Sequence, residues 1–170
     1  MISMSKTLFP LELQSCADDW TFNGVRTREI THCYHDYPAR MIPQVAGKLL
    51  DRFGKKAHFL FDPYCGTGTS LVEGAVRGID VAGTDLNPLA RLIATAKTTY
   101  VSPQAVRSAI DAFHRFPLAN RADEIVPATH VAGITNLAFW FKPTVVRALT
   151  ALSEYIGTID NPKVKRFFQV

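Results

Sequence analysis

The spacing at which apolar and polar residues alternate changes along the chain, and these changes predict its secondary structure. After Pro43 the apolar residues recur at helical spacing, and Gly54 is a plausible stop for that helix. A short apolar run at 58–61 predicts a buried parallel strand. A second short strand is predicted at 80–84, with a helix at about 70–77 between the two. Strand, helix and strand in this order predict an α/β fold with a parallel sheet and a right-handed crossover.

The remainder of the chain has a mostly helical pattern. Pro88 suits the first position of a helix that follows the second strand. Further helices are predicted at 103–116, at 144–156 and from 162 onward. Residues 1–30 show no clear period, so they are expected to form an irregular N-terminal segment.

Composition places the chain among ordinary globular proteins. It is 47% hydrophobic and 20% charged, with a formal net charge of +4. This mild basic excess favours an anionic partner such as nucleic acid, although the basic residues are scattered. No apolar run is long enough to span a membrane and no secretory signal is recognised, so we expect a cytoplasmic protein. Three cysteines without a C-x-x-C spacing predict neither a zinc site nor a disulfide framework.

A glycine-rich loop between two acidic strand ends carries the clearest chemical pattern. Gly66 and Gly68 allow backbone angles and close approach that a side chain would forbid, and the amino end of the next helix suits a carboxylate or a phosphate. Asp85, at the end of the second strand, is placed to accept hydrogen bonds from ribose hydroxyls. Asp62, at the end of the first strand, would repel a phosphate but suit an ammonium or sulfonium group. The set favours S-adenosylmethionine over NAD or ATP.

These residues resemble the motifs of the amino-methylating DNA methyltransferases. Residues 62–69, D-P-Y-C-G-T-G-T, look like the family's motif I, D-P-F-x-G-S-G-T, and residues 83–88 are similar to its G-x-D-I-N-P. Upstream, residues 35–40 resemble the H-x-Y-P-A-K/R segment that precedes motif I. Residues 136–143, N-L-A-F-W-F-K-P, look like a stretch in bacterial members.

The resemblance implies that residues 31–170 form part of a Rossmann-like S-adenosylmethionine-dependent methyltransferase domain. Motif I would shape the pocket around the methionine moiety, Asp85 would hold the ribose, and Tyr37 would help to close the pocket from the other side. Neither a catalytic residue nor a metal ligand is predicted. The cofactor-binding residues that the resemblance implies are Tyr37, Pro38, Ala39, Asp62, Pro63, Tyr64, Cys65, Gly66, Gly68, Thr69, Asp85, Leu86 and Asn87.

The family's catalytic motif, [D/N/S]-P-P-[Y/F/W], is not found, because the sequence contains no Pro-Pro pair. In the family this motif holds the flipped base. We therefore expect the cofactor-binding part of an enzyme that methylates an exocyclic amino group of cytosine or adenine in DNA, completed by a C-terminal half or a second chain. A half sheet would leave exposed apolar surface, which predicts association. A tRNA or rRNA methyltransferase fragment and a non-catalytic cofactor-binding or interaction module remain alternatives.

Several residues also have a purely structural interpretation. The glycines could form a plain turn, and Asp62 or Asp85 could cap a helix. Cys65 is expected to be a small pocket-lining residue rather than a nucleophile. Other side chains also have structural interpretations: core packing for Tyr37, a structural or hydrogen-bonding role rather than metal binding for His32 and His35, packing rather than base stacking for Phe139, Trp140 and Phe141, and a solvated face for Lys163, Lys165 and Arg166.

Overall fold

A computed structural model describes residues 20–38, 40–117 and 136–170. The predicted helices and strands are present close to their expected bounds. Ala39 and most of the predicted irregular N-terminal segment lie outside the described residues. The described elements are a 3-10 turn at Ile30–Cys33, α1 (Pro43–Phe53), β1 (Phe59–Asp62), α2 (Thr69–Val76), β2 (Asp80–Gly83), α3 (Pro88–Lys97), α4 (Pro103–Arg115), α5 (Leu137–Trp140), α6 (Pro143–Thr158) and α7 (Pro162–Phe168).

Prolines and glycines set the ends of these elements. A proline is favoured at the first helical position because its missing N–H would have no intrahelical partner there. Gly54 follows α1 and donates its N–H to Leu50 O, as predicted for the stop of that helix. Five of the described helices begin at a proline, and these are Pro43, Pro88, Pro103, Pro143 and Pro162.

The chain divides into two compact units, residues 1–100 with Val170 and residues 101–169. The first unit holds β1 and β2, which pair in parallel with Phe59 opposite Asp80 and Asp62 opposite Gly83. This pairing confirms the predicted parallel strand–helix–strand unit. α2 connects the two strands and packs against α1. The carboxyl ends of both strands therefore meet at one edge, where loops bind ligands in α/β proteins.

The core of the first unit lies between α2, α3 and one side of the sheet. Leu71, Val81 and Ala94 are completely buried and pack with Cys65. Leu60, on β1, packs against this cluster. The prediction that the first strand is buried is correct for this side only.

The other side of β1 is half exposed, so the prediction of a buried strand is wrong for this side. Phe59 and Phe61 are 54% and 51% exposed, although Ala82, the partner of Phe61 in β2, is buried. An apolar run shows that a strand is hydrophobic, but it does not show which neighbour covers each face. The exposed apolar surface expected of a half sheet is therefore present.

The second unit is built around Tyr155 of α6. Its ring contacts Phe113 and Phe116, and its hydroxyl donates to the carbonyl of Ala109. The packing expected of the aromatic segment is wrong for two of its residues, since Phe139 and Trp140 are 72% and 66% exposed. They contact each other edge to face instead. None of the helices in the described ranges is long and apolar enough to cross a membrane.

Candidate functional site

The glycine loop between β1 and α2 has the backbone that its sequence predicts. Gly66 and Gly68 have φ angles of +49° and +81°, a region that other residues rarely adopt. At Gly68 an added Cβ would lie 2.9 Å from the Cβ of Ala94 in α3. Glycine is thus required at Gly68 by both backbone angle and space, and the loop lies directly against α3.

Asp85 ties this loop to the end of β2. Its Oδ2 accepts a hydrogen bond from Gly66 N at 2.9 Å, and its Oδ1 accepts from Asn87 N at 2.8 Å. The residue that caps α3 is Asn87, whose side chain accepts from Leu89 N. The alternative in which Asp85 is the helix cap is therefore wrong. Each carboxylate oxygen has a second lone pair, so Asp85 can still accept from a ligand hydroxyl.

Asp62 plays a corresponding part at the end of β1. One oxygen accepts from Tyr64 N at 3.0 Å, and the other accepts from the hydroxyl of Ser70 in the first turn of α2. The carboxylate thereby fixes both ends of the loop. Asp62 and Asp85 bring two negative charges to the edge where the strands end.

The upstream motif reaches the same edge through Tyr37. Its hydroxyl accepts a hydrogen bond at 2.8 Å from Nδ2 of Asn87, which lies 50 positions later in the chain. Tyr37 is partly exposed, so this contact replaces the core packing considered for it. Pro38 is exposed beside it. All three segments singled out in the sequence before residue 100 thus meet in one place.

Two large apolar side chains stand exposed on the rim of this edge. Tyr64 follows β1 and Leu86 follows β2, and they are 86% and 97% exposed. Pro63, next to Tyr64, accepts a hydrogen bond on its carbonyl from the hydroxyl of Thr84. Such rim residues offer a surface for the flat apolar face of a ligand.

Cys65 lies beneath the loop and is only 6% exposed. Burial, followed by the charges of Asp62 and Asp85, raises the pKa of its thiol to about 11. The thiol is therefore protonated at neutral pH, which is unsuitable for a nucleophile. This agrees with the expected role as a small residue that fills space below the site.

A cleft of about 180 Å³ lies beside the loop, and its lining includes His32, Arg40, Met41 and Thr69. Thr69 is the first residue of α2, and the amino end of this helix has no side-chain cap. Its first backbone N–H groups and the positive end of its dipole suit an anionic group.

Below the cleft lies a buried network that the sequence did not reveal. Nε2 of His32 and Oε1 of Glu73 are 3.0 Å apart, which confirms hydrogen bonding for this histidine. Arg77 donates to the other Glu73 oxygen at 2.6 Å and to Asp51 at 2.7 Å. His32 and Glu73 are 41 positions apart, so no local spacing could have indicated the pair. The network fixes the 3-10 turn against α2.

A second feature missed in the sequence is the buried lysine at the end of α3. Lys97 is 2% exposed, and its Nζ donates to the hydroxyl of Thr67 at 3.4 Å. Burial, with a smaller contribution from the positive charge of Arg40, lowers the pKa of Lys97 to about 8. Thr67 lies between the two loop glycines, so this cation stands directly behind the glycine loop.

Comparisons with known proteins give a family and several relatives. Residues 28–123 match the family model described as RMKL-like, methyltransferase domain. The chain is 36% identical over 158 residues to the type II methyltransferase M.MvaI of Kocuria varians. This match covers 86% of this chain and 34% of that protein. It is also 36% identical over 72 residues to the type II methyltransferase M.MjaII of Methanocaldococcus jannaschii, covering 42% of this chain and 13% of that protein.

A shorter match joins the chain to a tRNA (guanine(10)-N2)-dimethyltransferase of Methanothermobacter thermautotrophicus. It has 38% identity over 52 residues, which is 30% of this chain and 16% of that protein. No solved structure gives a significant match. The chain thus spans about a third of the length of M.MvaI and smaller shares of the other two relatives. Because the family model covers more than half of its residues, this chain belongs to the RMKL-like methyltransferase domain family.

Proposed function

We propose that this chain is the S-adenosylmethionine-binding part of a DNA methyltransferase that methylates an exocyclic amino group of cytosine or adenine. The observation that carries the proposal is the meeting of three motif segments at one sheet edge. The Gly66–Asp85 and Tyr37–Asn87 hydrogen bonds join them. Membership of the methyltransferase domain family indicates that the reaction is methyl transfer. S-adenosylmethionine, when it is bound, supplies the electrophilic methyl group.

The chemistry of the edge suits this cofactor. Asp85 has lone pairs available for the ribose hydroxyls, and Asp62 provides a negative charge for an ammonium or sulfonium group. Leu86 and Tyr64 offer exposed apolar surface to the adenine. Two carboxylates at the strand ends would disfavour a phosphate, which argues against a dinucleotide or ATP.

DNA is the favoured substrate because of the extent of the relatives' matches. The match to a type II methyltransferase covers 86% of this chain, whereas the match to the tRNA methyltransferase covers 30%. The H-x-Y-P-A-R segment at 35–40 also resembles DNA methyltransferases, and its Tyr37 is part of the site. The tRNA relative supports structured RNA as a second candidate, which parallel methylation assays on duplex DNA and tRNA would separate.

The acceptors for the target base belong, in this proposal, to a complementary methyltransferase half. Those acceptors would lie in the Pro-Pro motif, and the 170 residues contain no such pair. The half-exposed Phe59 and Phe61 offer an apolar surface against which further strands or helices could pack. This chain would hold the methyl donor in line with the amino nitrogen, so that catalysis rests on positioning.

Calorimetric titration with S-adenosylmethionine and S-adenosylhomocysteine tests the proposal. Asp85→Asn should weaken binding by about tenfold or more, because it removes a charged acceptor. Asp80→Asn is the matched control, since Asp80 begins the same strand at the opposite end of the sheet, and it should bind like the unchanged chain. Absence of binding to both ligands, alone and with a complementary half, would overturn the proposal.

A further inference from the structure

Two neighbouring aromatic rings of the second unit stand in solvent. Phe139 and Trp140 are largely exposed, with ring centroids 5.0 Å apart and ring planes at 90° to each other. Large aromatic side chains stabilise a protein most when they are buried, so leaving two of them side by side in water has a cost in stability. An exposed apolar pair of this kind indicates a contact with another molecule.

The turn that carries the rings is held by its own backbone. Asn136 begins it at a φ of +56°, a left-handed angle that asparagine tolerates better than most residues. Its carbonyl accepts a hydrogen bond from Phe139 N, and the carbonyl of Leu137 accepts one from Phe141 N, both at 3.0 Å. Leu137 and Phe141 also line a cavity of about 350 Å³ against α6. The inner positions of the turn are therefore taken, and the two exposed rings occupy its outside.

The sequence next to the rings carries only positive charge. Residues 136–153 contain Lys142 and Arg147 and no acidic residue. Lys142 is exposed immediately before α6, and Arg147 lies in the second turn of that helix. Within the described ranges neither residue forms an ion pair. The described part of the second unit as a whole has seven lysines and arginines against three acidic residues, so its charge favours a polyanion.

Arg147 also lacks a hydrogen-bond partner that its burial requires. Its Nε is buried and has no partner among the described residues. A buried donor without a partner is costly, and the cost is greater for a charged group. An anion that draws the guanidinium toward solvent would relieve this cost through charge-assisted hydrogen bonds. The arginine thus adds a second, independent indication of an anionic ligand.

We propose that a surface made of Phe139, Trp140, Lys142 and Arg147 contacts DNA. Its cations bind backbone phosphates, and its rings stack on a base that has lost its pairing partner. The inference rests on the proposed function, because an enzyme that methylates the amino group of a base in a duplex has to take that base out of the stack. The opened step then exposes flat base faces on which aromatic rings can stack.

A protein partner suits this surface less well. The cores of protein–protein interfaces are depleted in lysine, whereas Lys142 stands exposed two positions after Trp140. Aromatic rings beside cations are instead typical of surfaces that bind nucleic acid strands, where rings hold bases and cations follow the backbone. DNA is therefore the occupant that these residues favour.

Fluorescence anisotropy with labelled duplexes tests the aromatic contact on the complete 170-residue chain. The probes are a short duplex with one central mismatch and the same duplex fully paired. The double variant Phe139→Ala, Trp140→Ala should bind the mismatched duplex about tenfold or more weakly, and the paired duplex should be affected less. Both rings are exposed, so their removal leaves the core intact. Unchanged affinity of the double variant for the mismatched duplex would overturn the inference.

The matched control for the rings is Phe53→Ala. Phe53 is the end of α1 in the first unit, and its ring is 75% exposed. The substitution removes a comparable apolar surface at a place where no DNA contact is proposed. It should leave the affinity for both duplexes as in the unchanged chain. A loss equal to that of the double variant would show that any exposed ring contributes, which contradicts a specific surface.

The salt dependence of the same affinities tests the cations. Lys142→Gln and Arg147→Gln should each weaken binding of both duplexes and reduce the slope of log affinity against log salt by about 0.9, as loss of one phosphate contact predicts. Lys56→Gln removes an exposed lysine of the first unit and should leave the slope unchanged. Slopes that stay the same for Lys142→Gln and Arg147→Gln would show that neither cation binds a phosphate, and the proposed surface would be wrong.

The emission of Trp140 separates stacking from a purely electrostatic contact. The chain has two tryptophans, so Trp20→Phe leaves Trp140 as the only one. Stacking on a base should quench this emission when the mismatched duplex saturates the chain. Binding through the cations alone would leave the emission unchanged, and that result would overturn the stacking of the rings.

Two further outcomes decide what occupies the surface. If the chain binds neither duplex at low salt, the surface is not a DNA contact and the inference is wrong. The inference is also wrong if the double variant keeps its affinity for DNA but loses self-association in sedimentation experiments, because the rings then bind protein.

Calorimetry with S-adenosylmethionine keeps this inference distinct from the proposed function. The double variant Phe139→Ala, Trp140→Ala should bind the cofactor like the unchanged chain, since the rings belong to the second unit and the proposed cofactor residues to the first. A chain that binds the cofactor but fails the DNA tests contradicts only the DNA-contacting surface. A chain that passes the DNA tests but binds no cofactor contradicts the proposed function.

Discussion

The two sides of β1 differ in what covers them and in what they do. On one side Leu60 packs on the core formed with Leu71 and Val81, and Asp62 continues that side into the glycine loop. On the other side Phe59 and Phe61 are half exposed. The covered side therefore supports the site, and the open side is a surface for contact with another element. Stability and ligand binding should depend on the first side much more than on the second.

The largest effect on stability is expected at Gly68, where a left-handed backbone coincides with close contact with α3. Gly68→Ala should lower the free energy of unfolding by about 2–4 kcal/mol, because it combines a left-handed backbone with overlap on Ala94. Gly66→Ala, where the added Cβ meets nothing within 4 Å, should cost only the backbone strain, about 1–2 kcal/mol. Urea denaturation of both variants measures the difference. Equal losses would show that contact with α3 does not constrain the loop.

A pair of substitutions on β1 compares its two sides directly. Leu60→Ala should lower the free energy of unfolding by about 2–3 kcal/mol, because it opens a cavity against the core. Phe61→Ser should cost about 1 kcal/mol, since half of its side chain is already in water. Phe61→Ser should also reduce self-association in sedimentation experiments. If Phe61→Ser proved as costly as Leu60→Ala, the distinction between the two sides would be wrong.

Lys97 lies behind the glycine loop, on the covered side of β1, but its buried charge should lower the stability of the folded chain. Burial lowers the pKa of Lys97 from 10.5 to about 8, so below pH 8 the folded chain contains an unfavourable buried charge. Lys97→Met should therefore raise the free energy of unfolding at pH 7 by about 1–2 kcal/mol.

This gain should shrink as the pH rises from about 8 toward 10.5. In that range the unfolded chain binds more protons than the folded one, and the stability of the unchanged chain rises with pH. Denaturation at pH 7 and pH 10 measures both values. A constant gain at the two pH values would mean that the charge of Lys97 is not the cause.

The smallest effect concerns reactivity rather than stability. Cys65 lies under the loop with its pKa raised to about 11, whereas Cys33 is exposed. At pH 8 iodoacetamide should modify Cys65 at least about tenfold more slowly than Cys33, because the thiolate is the reacting form. Mass spectrometry of the separate peptides gives both rates. Fast labelling of Cys65 would indicate that the loop opens readily on the covered side.

The local features of this fold could be predicted because single residue types determine them. Proline at a helix start and glycine at positive φ have physical causes that act within a few residues. Pro88 accordingly stands at the predicted first position of its helix, and Gly66 and Gly68 have the backbone angles that the sequence indicated. The helices predicted near Pro43, Pro103, Pro143 and Pro162 also begin at these prolines. The parallel pairing of β1 with β2 follows from the short helical connection between them.

The features that were missed depend on residues far apart in the chain. His32 meets Glu73 only after the turn at 30–33 packs on α2, and the position of Lys97 behind Thr67 requires α3 to lie on the loop. The exposure of Phe61 and Trp140 was also missed, since hydrophobicity does not identify the covering partner. The predicted contact of Asp85 with the ribose stays a prediction. The position of Asp85 at the edge was correct, but its bond to the loop amide was not foreseen.

The bond from Gly66 to Asp85 closes a loop of only 19 positions. Short loops lose little chain entropy on closing and close quickly. Chains emerge from the ribosome amino end first, at about 5–20 residues per second, and fold in units as they emerge. The glycine loop, both acidic strand ends and the contact with Tyr37 are encoded between residues 37 and 87. We therefore expect this edge of the sheet to form during synthesis, within seconds of the emergence of residue 87.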